Sequence, residues 1–402
     1  MSRRRSGSSS QDRHARVRTQ PSGARAPGAG VPAEGAAAQR TASGPVDGEP
    51  VEREALVVTL WFDSGEGTEP YSATVRLRGR RVGSRAMPGR DDTFTHEERV
   101  EGVVPGTGPL SVTCWVYGLV PGEWTVTGEL VRPGDAVHER RAPGSLKRAA
   151  PEPIGPAAWS WRRWRVSGGS SAPLKTRWAM AAPLARIPAV IPGSWPALSG
   201  LGILVALSVL VAILAHEQVP VTRSLAVSVL AIGAGLLGAK VWYALLHPGP
   251  WRQWIGGWAV DGFLAVGFVV AVAGLVAFRL PIGASLDAAA PGLFFGVAIG
   301  RVGCFLTGCC AGRCTRSRWG IWSSDRRVGA RRIPTQLLES GAGLLLGILT
   351  LLLVLDHVPT APGLVFVASF GTYVLVRQFL LRLRAESRRY SWDRGLAPRS
   401  AL

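Results

Sequence analysis

Residues 285–313, SLDAAAPGLFFGVAIGRVGCFLTGCCAGR, combine a long apolar run with an ending made of arginine, glycines and cysteines. The apolar run, near residues 284–306, has about the 20 residues that a helix needs to cross a bilayer. Arg301 lies near the end of this run, and a charge within a membrane segment is costly and usually functional. The stretch therefore predicts a membrane helix whose end carries a binding or catalytic site.

Five more segments of similar length and hydrophobicity occupy the C-terminal half of the chain. The six predicted helices lie near residues 199–215, 223–245, 257–278, 284–306, 334–355 and 361–381. Six such segments so close together do not fit the core of a soluble domain, so we expect an all-α polytopic membrane protein. Residues 179–195 are a candidate seventh crossing, although they contain three prolines and one arginine.

The N-terminal half has a different composition. Short alternating runs between residues 55 and 134, separated by Gly/Pro turns, predict a small all-β sandwich-like accessory domain. The predicted organisation is a disordered basic tail (1–54), this β domain (55–134), a basic connector rich in Pro, Trp and Arg (135–198), a transmembrane domain (199–384) and a basic C-terminal tail (385–402).

The composition limits the classes of function. The 402 residues carry a formal charge of +19, which on its own would suggest nucleic acid. However, WSWRRWRV (159–166) alternates tryptophan with arginine, a pattern that suits an anionic membrane surface, and no nucleic-acid partner is expected. Five cysteines in a chain of this length exclude a disulfide-dense secreted scaffold.

Residues 285–313 resemble the signature of the bacterial prolipoprotein diacylglyceryl transferases. In that family a helix carries an Asp and then a Pro, and it ends Gly-Arg-x-Gly-Asn-Phe, followed by Gly-Glu and another Gly. The matching residues here are Asp287, Pro291, Gly296, Gly300, Arg301, Gly303, Phe305, Gly308 and Gly312.

Three further segments, one before residues 285–313 and two after them, extend the resemblance in order over about residues 199–384. RIPTQLLES (332–340) is similar to the family's His-Pro-Ser-Gln-Leu-Tyr-Glu, and TYVLVRQFLLRLR (372–384) to its late helix with Arg-x-x-x-Glu-x-x-Arg. GAKVWYALLH (238–247) is similar to the end of the second helix, with Lys240 at the basic position.

Several positions depart from the family pattern, and these are positions at which the family carries polar residues important for the chemistry. Asp261 stands where the family has the His of His-Gly-Gly, Cys304 replaces the Asn, and Cys309 replaces the Glu. Ile333 stands at the His before the Pro, and Leu381 at the Glu after Arg377.

The resemblance implies transfer of a diacylglyceryl group from phosphatidylglycerol to the lipobox cysteine thiol of a prolipoprotein, in a bacterial plasma membrane and without a cofactor. It implies catalytic roles for Arg301 and Arg377, because the planar guanidinium binds phosphate bidentately, and for Asp261 as the acid nearest the family's His position. The implied substrate-binding residues are Arg301, Gly303, Cys304, Gly308, Gly312, Gln336, Glu339 and Arg377.

The four clustered cysteines do not predict a metal site. Their spacing, Cys-x4-Cys-Cys-x3-Cys, lacks the Cys-x2-Cys pair typical of structural zinc, and no histidine lies nearby in sequence. We expect compact wall residues of a glycine-rich turn, whose small side chains leave room for lipid phosphate, or a disulfide if this end faces an oxidising compartment.

The orientation in the membrane and the activity stay open at this point. The arginine-rich loop 307–333 places the motif end in the cytosol by the positive-inside rule, whereas the resemblance places it outside. A membrane crossing at 179–195 would reconcile a cytosolic N-terminus with the second orientation. The alternative to an enzyme is a catalytically inactive family member that binds lipid or a partner protein.

Overall fold

The computed structural model describes residues 55–83, 90–132, 151–177, 186–246, 257–358 and 361–385. Within these residues, six helices are long and apolar enough to cross a membrane, which confirms the six predicted segments. The helices are α1 (Ser194–His216), α2 (Val221–Leu246), α3 (Val260–Ala277), α4 (Ile282–Thr307), α5 (Thr335–Leu355) and α6 (Leu364–Leu381).

The outer surfaces of these helices are apolar, as expected for contact with lipid. Leu237 of α2, Leu345 of α5 and Leu375 of α6 leave most of their side chains exposed. A helix that is apolar on all sides is stable only when it is buried in protein or surrounded by lipid. The exposed leucines therefore support membrane insertion of this domain.

Glycines bring α1 and α4 into close contact. A Cβ added at Gly296 would lie 3.1 Å from the carbonyl oxygen of Gly202 on α1, and one at Gly292 would overlap the carbonyl of Ala206. Gly303, further along α4, also faces α1. Small residues permit such close approach of helix backbones in membranes. Because this face of α4 packs on α1, Arg301 is directed toward other helices.

The N-terminal half forms an antiparallel β domain, as predicted. Its strands are β1 (Leu56–Asp63), β2 (Tyr71–Arg81), β3 (Thr93–Val103), β4 (Pro109–Val116), β5 (Glu123–Val131), β6 (Glu152–Ser160), β7 (Arg165–Gly168) and β8 (Leu174–Arg177), with a short 3-10 turn at Arg90–Asp92. The buried sides of β1, β2, β4 and β5 share one apolar core, in which Leu60 of β1 packs on Gly128 of β5.

Two strands of the sheet come from the membrane domain. The loop between α4 and α5 forms a hairpin of β9 (Ile321–Ser324) and β10 (Val328–Arg332). β10 pairs with β4, so that the hydrogen-bonded strand order is β3-β2-β5-β6-β1-β4-β10-β9, while β7 pairs with β6 and β8 with β5. The β domain is therefore joined to the membrane domain through a continuous sheet.

Side chains of the same loop strengthen this junction. Arg316 donates to the carbonyl oxygen of Pro105 at 2.5 Å and to that of Gly67 at 2.9 Å. Arg327 forms an ion pair with the buried Glu98 of β3, and the Trp322 indole donates to the carbonyl of Pro109 at 2.9 Å. Two arginines of the α4–α5 loop thus dock the β domain.

The shared sheet fixes the sidedness of the β domain. The α4–α5 loop lies at the bundle end where α1 begins, because the Thr307 hydroxyl at the end of α4 accepts from the backbone amide of Trp195 at 2.9 Å. A membrane crossing at residues 179–195 would place the β domain at the opposite end, where it could not pair with β10. That candidate crossing does not fit this pairing. Its residues 179–185 lie outside the described residues, and residues 186–193 form turns rather than a helix.

The strand pattern also differs from the expectation in the predicted connector. Residues 152–177 form β6, β7 and β8, and α1 begins at Ser194 rather than 199. β6 (EPIGPAAWS) contains two prolines and a single β-branched residue, so it has no local strand signal. It forms through pairing with β1, β5 and β7. The predicted tails 1–54 and 385–402 lie outside the described residues, apart from Ala385.

Candidate functional site

A buried carboxylate, Glu339 on the first turns of α5, is the centre of the candidate site. Its side chain is 1% exposed and contacts three guanidinium groups. The nitrogen–oxygen distances are 2.9 Å to Arg301, 2.7 Å to Arg377 and 3.0 Å to Arg384. The Tyr373 hydroxyl also donates to Glu339, at 2.8 Å. We call these five residues the Glu339 cluster.

Three helices and one helix end supply the cluster. Arg301 lies near the end of α4, and Tyr373 and Arg377 are one turn apart on α6, so their side chains share a face. Arg384 lies just after α6 and pairs with Gly312 in an isolated β-bridge. The cluster therefore forms only when α4, α5 and α6 pack together at the motif end.

The cluster carries excess positive charge. Three guanidinium groups surround one carboxylate, which leaves two positive charges uncompensated within it. The side chains of Arg301, Arg377 and Arg384 are 13%, 24% and 11% exposed, so each keeps an accessible edge. Partly buried guanidinium groups bind anions more strongly than solvated ones, because water screens them less. This arrangement suits a phosphate-bearing ligand.

The glycines of the motif have packing and turn roles in the structure. Gly308 ends α4 with a left-handed φ of 76°, and a Cβ at this position would lie 2.7 Å from the carbonyl oxygen of Ser324. A Cβ at Gly312 would overlap the carbonyl of Ile333. Protein atoms therefore occupy the space beside Gly303, Gly308 and Gly312, where we had expected room for lipid phosphate. A direct substrate contact of these glycines stays a prediction.

The cysteine-rich turn lies against the Glu339 cluster. The Cys304 sulfur is 4.0 Å from a terminal nitrogen of Arg301. Gln336 donates its side-chain amide to the carbonyl oxygen of Cys309 at 2.8 Å, and the Thr335 hydroxyl donates to that of Cys310 at 3.2 Å. The side chains of Thr335 and Gln336 thus hold the turn in place. Gln336 is connected to the site through the backbone of the turn.

Asp261 is at the same bundle end but outside the cluster. It lies exposed in the first turn of α3, and it forms no ion pair with any residue that the structure describes. Lys240, at the nearby end of α2, places its ammonium 4.2 Å from the ring centre of Trp258 and donates to the carbonyl of Gly257 at 3.3 Å. The catalytic role of Asp261 is not supported by a contact and stays a prediction.

Two cluster members are additions to the predicted site residues. Tyr373 precedes Arg377 by four residues, a spacing that returns to the same face of α6 and could have identified it. Arg384 lies beyond the end of α6, and the signal for it is its place as the last Arg of the family's Arg-x-x-x-Glu-x-x-Arg pattern. Within the described ranges, no set of three or more His, Cys, Asp or Glu residues is arranged to hold a metal ion.

Comparisons with known proteins identify the family. Residues 194–397, about half of the chain, match the family profile described as prolipoprotein diacylglyceryl transferase. Two relatives carry the name phosphatidylglycerol–prolipoprotein diacylglyceryl transferase. The one from Streptomyces avermitilis is 32% identical over 128 residues, which is 28% of this chain and 38% of the relative. The one from Rhodococcus jostii is 27% identical over 177 residues, 39% of this chain and 49% of the relative.

The match thus spans less than half of the length of each of these two relatives. The span matched by the family profile includes every helix that contributes to the Glu339 cluster, since α1 to α6 lie within residues 194–397. On the family match and the six membrane helices, the chain belongs to the prolipoprotein diacylglyceryl transferase family, a family of membrane-bound transferases.

Proposed function

We propose that this protein transfers the diacylglyceryl group of phosphatidylglycerol to the lipobox cysteine thiol of a prolipoprotein in a bacterial plasma membrane. The observation that carries the proposal is the Glu339 cluster, which holds three guanidinium groups around one carboxylate. In the reaction a carbon–sulfur bond forms to the glyceryl group, and the carbon–oxygen bond to phosphate breaks. Glycerol phosphate is the leaving group.

The excess charge of the cluster matches the charge that develops in this reaction. The phosphodiester of phosphatidylglycerol carries one negative charge, whereas a phosphomonoester approaches two above its second pKa of about 6. Arg301 and Arg377 each use one terminal nitrogen on Glu339, and other N–H groups of each fork can bind phosphate oxygens. Donors fixed in advance stabilise the developing dianion more than the bound substrate, and this lowers the barrier.

The acceptor thiol must lose its proton before it attacks. A cysteine thiol has an ordinary pKa of about 8.5, and neighbouring positive charge lowers it. We propose that the excess charge of the cluster contributes this effect. Asp261, at the same end of the bundle, is the candidate base if a proton acceptor is also needed.

The motif cysteines do not act as covalent carriers in this proposal. A diacylglyceryl group on Cys304 or Cys309 would be a thioether, and its onward transfer would require an alkyl thiolate to leave an unactivated carbon. That step is chemically unfavourable, whereas direct attack on the phosphate ester displaces a good leaving group. The motif cysteines are therefore compact wall residues of the site.

The test is a reconstituted reaction with phosphatidylglycerol vesicles and a lipobox peptide, followed by peptide mass and glycerol phosphate release. Arg301→Lys keeps the charge but loses the planar fork. We expect about a 10- to 100-fold lower kcat/KM, because a hydrogen bond to a charged group is worth about 1.5–3 kcal/mol. Arg382→Lys, on an exposed arginine just before Arg384, is the matched control and should stay near the original rate.

Unchanged turnover in Arg301→Ala, with normal insertion, would overturn the phosphate-binding role. The same assay decides the role of Asp261. If Asp261 is a base, Asp261→Asn should lose activity near neutral pH and regain it at high pH, where the thiol ionises by itself. If the positive cluster suffices, Asp261→Asn should follow the original pH profile.

A lipid-binding family member without turnover is the second candidate function. It is favoured by the exposed position of Asp261 and by cysteines at the positions of the family's Asn and Glu. Such a protein would retain phosphatidylglycerol in native mass spectra, with loss of binding in Arg301→Ala, yet would give no thioether peptide. The product assay separates the two functions.

A further inference from the structure

The end of α4 brings three cysteines together through a defined helix-termination motif. The amide of Cys309 donates to the carbonyl of Cys304 at 3.1 Å, and the amide of Gly308 donates to that of Phe305 at 3.3 Å. Together with the left-handed φ of Gly308, these bonds define a Schellman motif. This motif folds the chain back, so that the residues after the helix lie over its last turn, which carries Cys304.

The chain continues this reversal at Cys310, whose φ of 56° is also left-handed. The thiols of Cys304, Cys309 and Cys310 are hydrogen-bonding partners of one another, and all three are free. Cys304 is buried, whereas Cys309 and Cys310 are partly exposed. A small reagent can therefore reach the turn from outside the helix bundle.

The three thiols differ in their chemical surroundings. Hydrogen bonds with the Cys304 and Cys309 thiols, together with the positive charges of Arg384 and Arg301, lower the pKa of the Cys310 thiol. The Cys309 sulfur instead points to the carbonyl oxygen of Cys304, at 3.7 Å. A disulfide between the adjacent Cys309 and Cys310 would close a small ring that distorts the peptide bond between them. Cys304 is thus the favoured partner of Cys310.

We propose that Cys310 and Cys304 form a site of reversible thiol–disulfide exchange, with Cys310 as the attacking thiol and Cys304 as the resolving thiol. The co-reactant is a disulfide, RSSR. The Cys310 thiolate attacks one sulfur of RSSR and releases one RS⁻, which leaves a mixed disulfide on Cys310. Cys304 then attacks the Cys310 sulfur and releases the second thiol. Two protein thiols and one RSSR give one protein disulfide and two RSH.

This inference concerns thiol chemistry and does not rest on diacylglyceryl transfer. The exchange would nonetheless act at the Glu339 cluster, because the Cys304 sulfur lies 4.0 Å from Arg301. A disulfide at Cys304 would remove the thiol from that contact. The redox state of this membrane face could thereby be sensed at the phosphate-binding arginines.

The test uses the full-length protein in detergent with oxidised glutathione as the probe, followed by alkylation and mass spectrometry. We expect the loss of two alkylatable thiols, a linked peptide that joins residues 304 and 310, and recovery of both thiols with a dithiol reductant. Cys304→Ser should instead trap one glutathione on Cys310, because the resolving thiol is missing. Cys310→Ser should slow the reaction by at least tenfold, since the proposed attacking thiol is lost.

Cys114 is the matched control, because burial in the β domain raises the pKa of its thiol to about 12. Cys114→Ser should leave the linked peptide unchanged. Four results would overturn the proposal: no thiol loss, a link between residues 309 and 310, a Cys304→Ser protein that carries no trapped glutathione, or a Cys310→Ser protein that reacts at the original rate. Variants are compared only after they elute as the unsubstituted protein does in size-exclusion chromatography.

Discussion

Glu339 and Asp287 are both carboxylates of membrane helices, but they serve opposite ends of the bundle in different ways. Asp287, on the early part of α4, accepts from the backbone amides of Gly363 at 2.6 Å and Phe366 at 2.8 Å. It therefore caps the start of α6, where the helix dipole favours a negative charge. Glu339 instead binds three cationic side chains.

Both acids match the family pattern in sequence, so the match alone does not reveal their roles. The hydrogen-bond and ion-pair partners of each carboxylate do reveal them. A carboxylate that accepts from backbone amides leaves no charge for a ligand, and it stabilises the fold. A carboxylate surrounded by three guanidinium groups orients them and leaves positive charge accessible. Excess positive charge, rather than the presence of a buried acid, therefore distinguishes the end that we propose to bind the ligand.

The largest expected effect concerns the side of the membrane on which each end lies. In intact cells, a membrane-impermeant maleimide should label Glu69→Cys in the β domain and should not label Arg223→Cys at the start of α2. Both positions are exposed. The two variants should differ because the β domain shares a sheet with the α4–α5 loop, and α2 begins at the opposite end. The assignment of the β domain to the outside follows the orientation that the family resemblance implies.

The unsubstituted protein provides the background from native cysteines, and permeabilised cells should label both variants. The reverse pattern would place the site end in the cytosol, as the positive-inside rule predicts, and would contradict the outside orientation that the family resemblance implies. Labelling of both variants in intact cells would contradict the opposite placement of the two ends.

The next effect is on stability. Glu339→Gln removes the only carboxylate of the Glu339 cluster and leaves three guanidinium groups without compensation. We expect a loss of about 3–5 kcal/mol in the free energy of unfolding, as for other buried pairs that lose one partner. Thermal unfolding of the purified protein in detergent measures this loss.

Glu217→Gln is the matched control at the other end, where Glu217 is 25% exposed and contacts His216 and His357. Its effect should stay within about 0.5 kcal/mol, as for most substitutions outside buried networks. Equal melting temperatures for the two variants would show that the cluster arginines do not depend on Glu339.

The smallest expected effect comes from Asp287→Ala. The substitution removes the cap of α6 and should cost about 0.5–2 kcal/mol, the range measured for lost N-caps. Turnover per folded molecule should be unchanged, because Asp287 lies at the end of α4 away from Arg301. Unfolding in detergent and the lipobox-peptide assay are measured on the same sample. A drop in turnover without a drop in stability would contradict the division of roles between the two acids.

The membrane helices could be predicted closely from the sequence, because each is a long apolar run with a simple physical requirement. The β domain was only partly predictable. β3 (TFTHEERVEGV) contains four consecutive polar or charged residues, HEER, and has a bulge in its pairing with β2, and β6 depends on tertiary pairing. No local pattern could show that β10, from the membrane domain, would complete the sheet.

The site was predictable where a contact follows from helix periodicity or from the family resemblance. Arg301, Glu339 and Arg377 are site residues named from the resemblance, and the structure brings them together. Tyr373 follows from its helical spacing to Arg377, whereas Arg384 lies beyond α6. The role of Gln336 was not predictable, since its side chain binds a backbone carbonyl of the turn. The distance of Asp261 from the cluster also depends on tertiary packing, which the sequence does not encode locally.

The pairing of β4 with β10 has a consequence for biosynthesis. Arg316 lies 211 residues after its partner Pro105, and four membrane helices are made between the β domain and β10. During translation, the edge of β4 must stay unpaired until these helices have been inserted. An exposed strand edge invites pairing with other chains. The nascent protein therefore has an interval in which insertion of α1 to α4 competes with aggregation through β4.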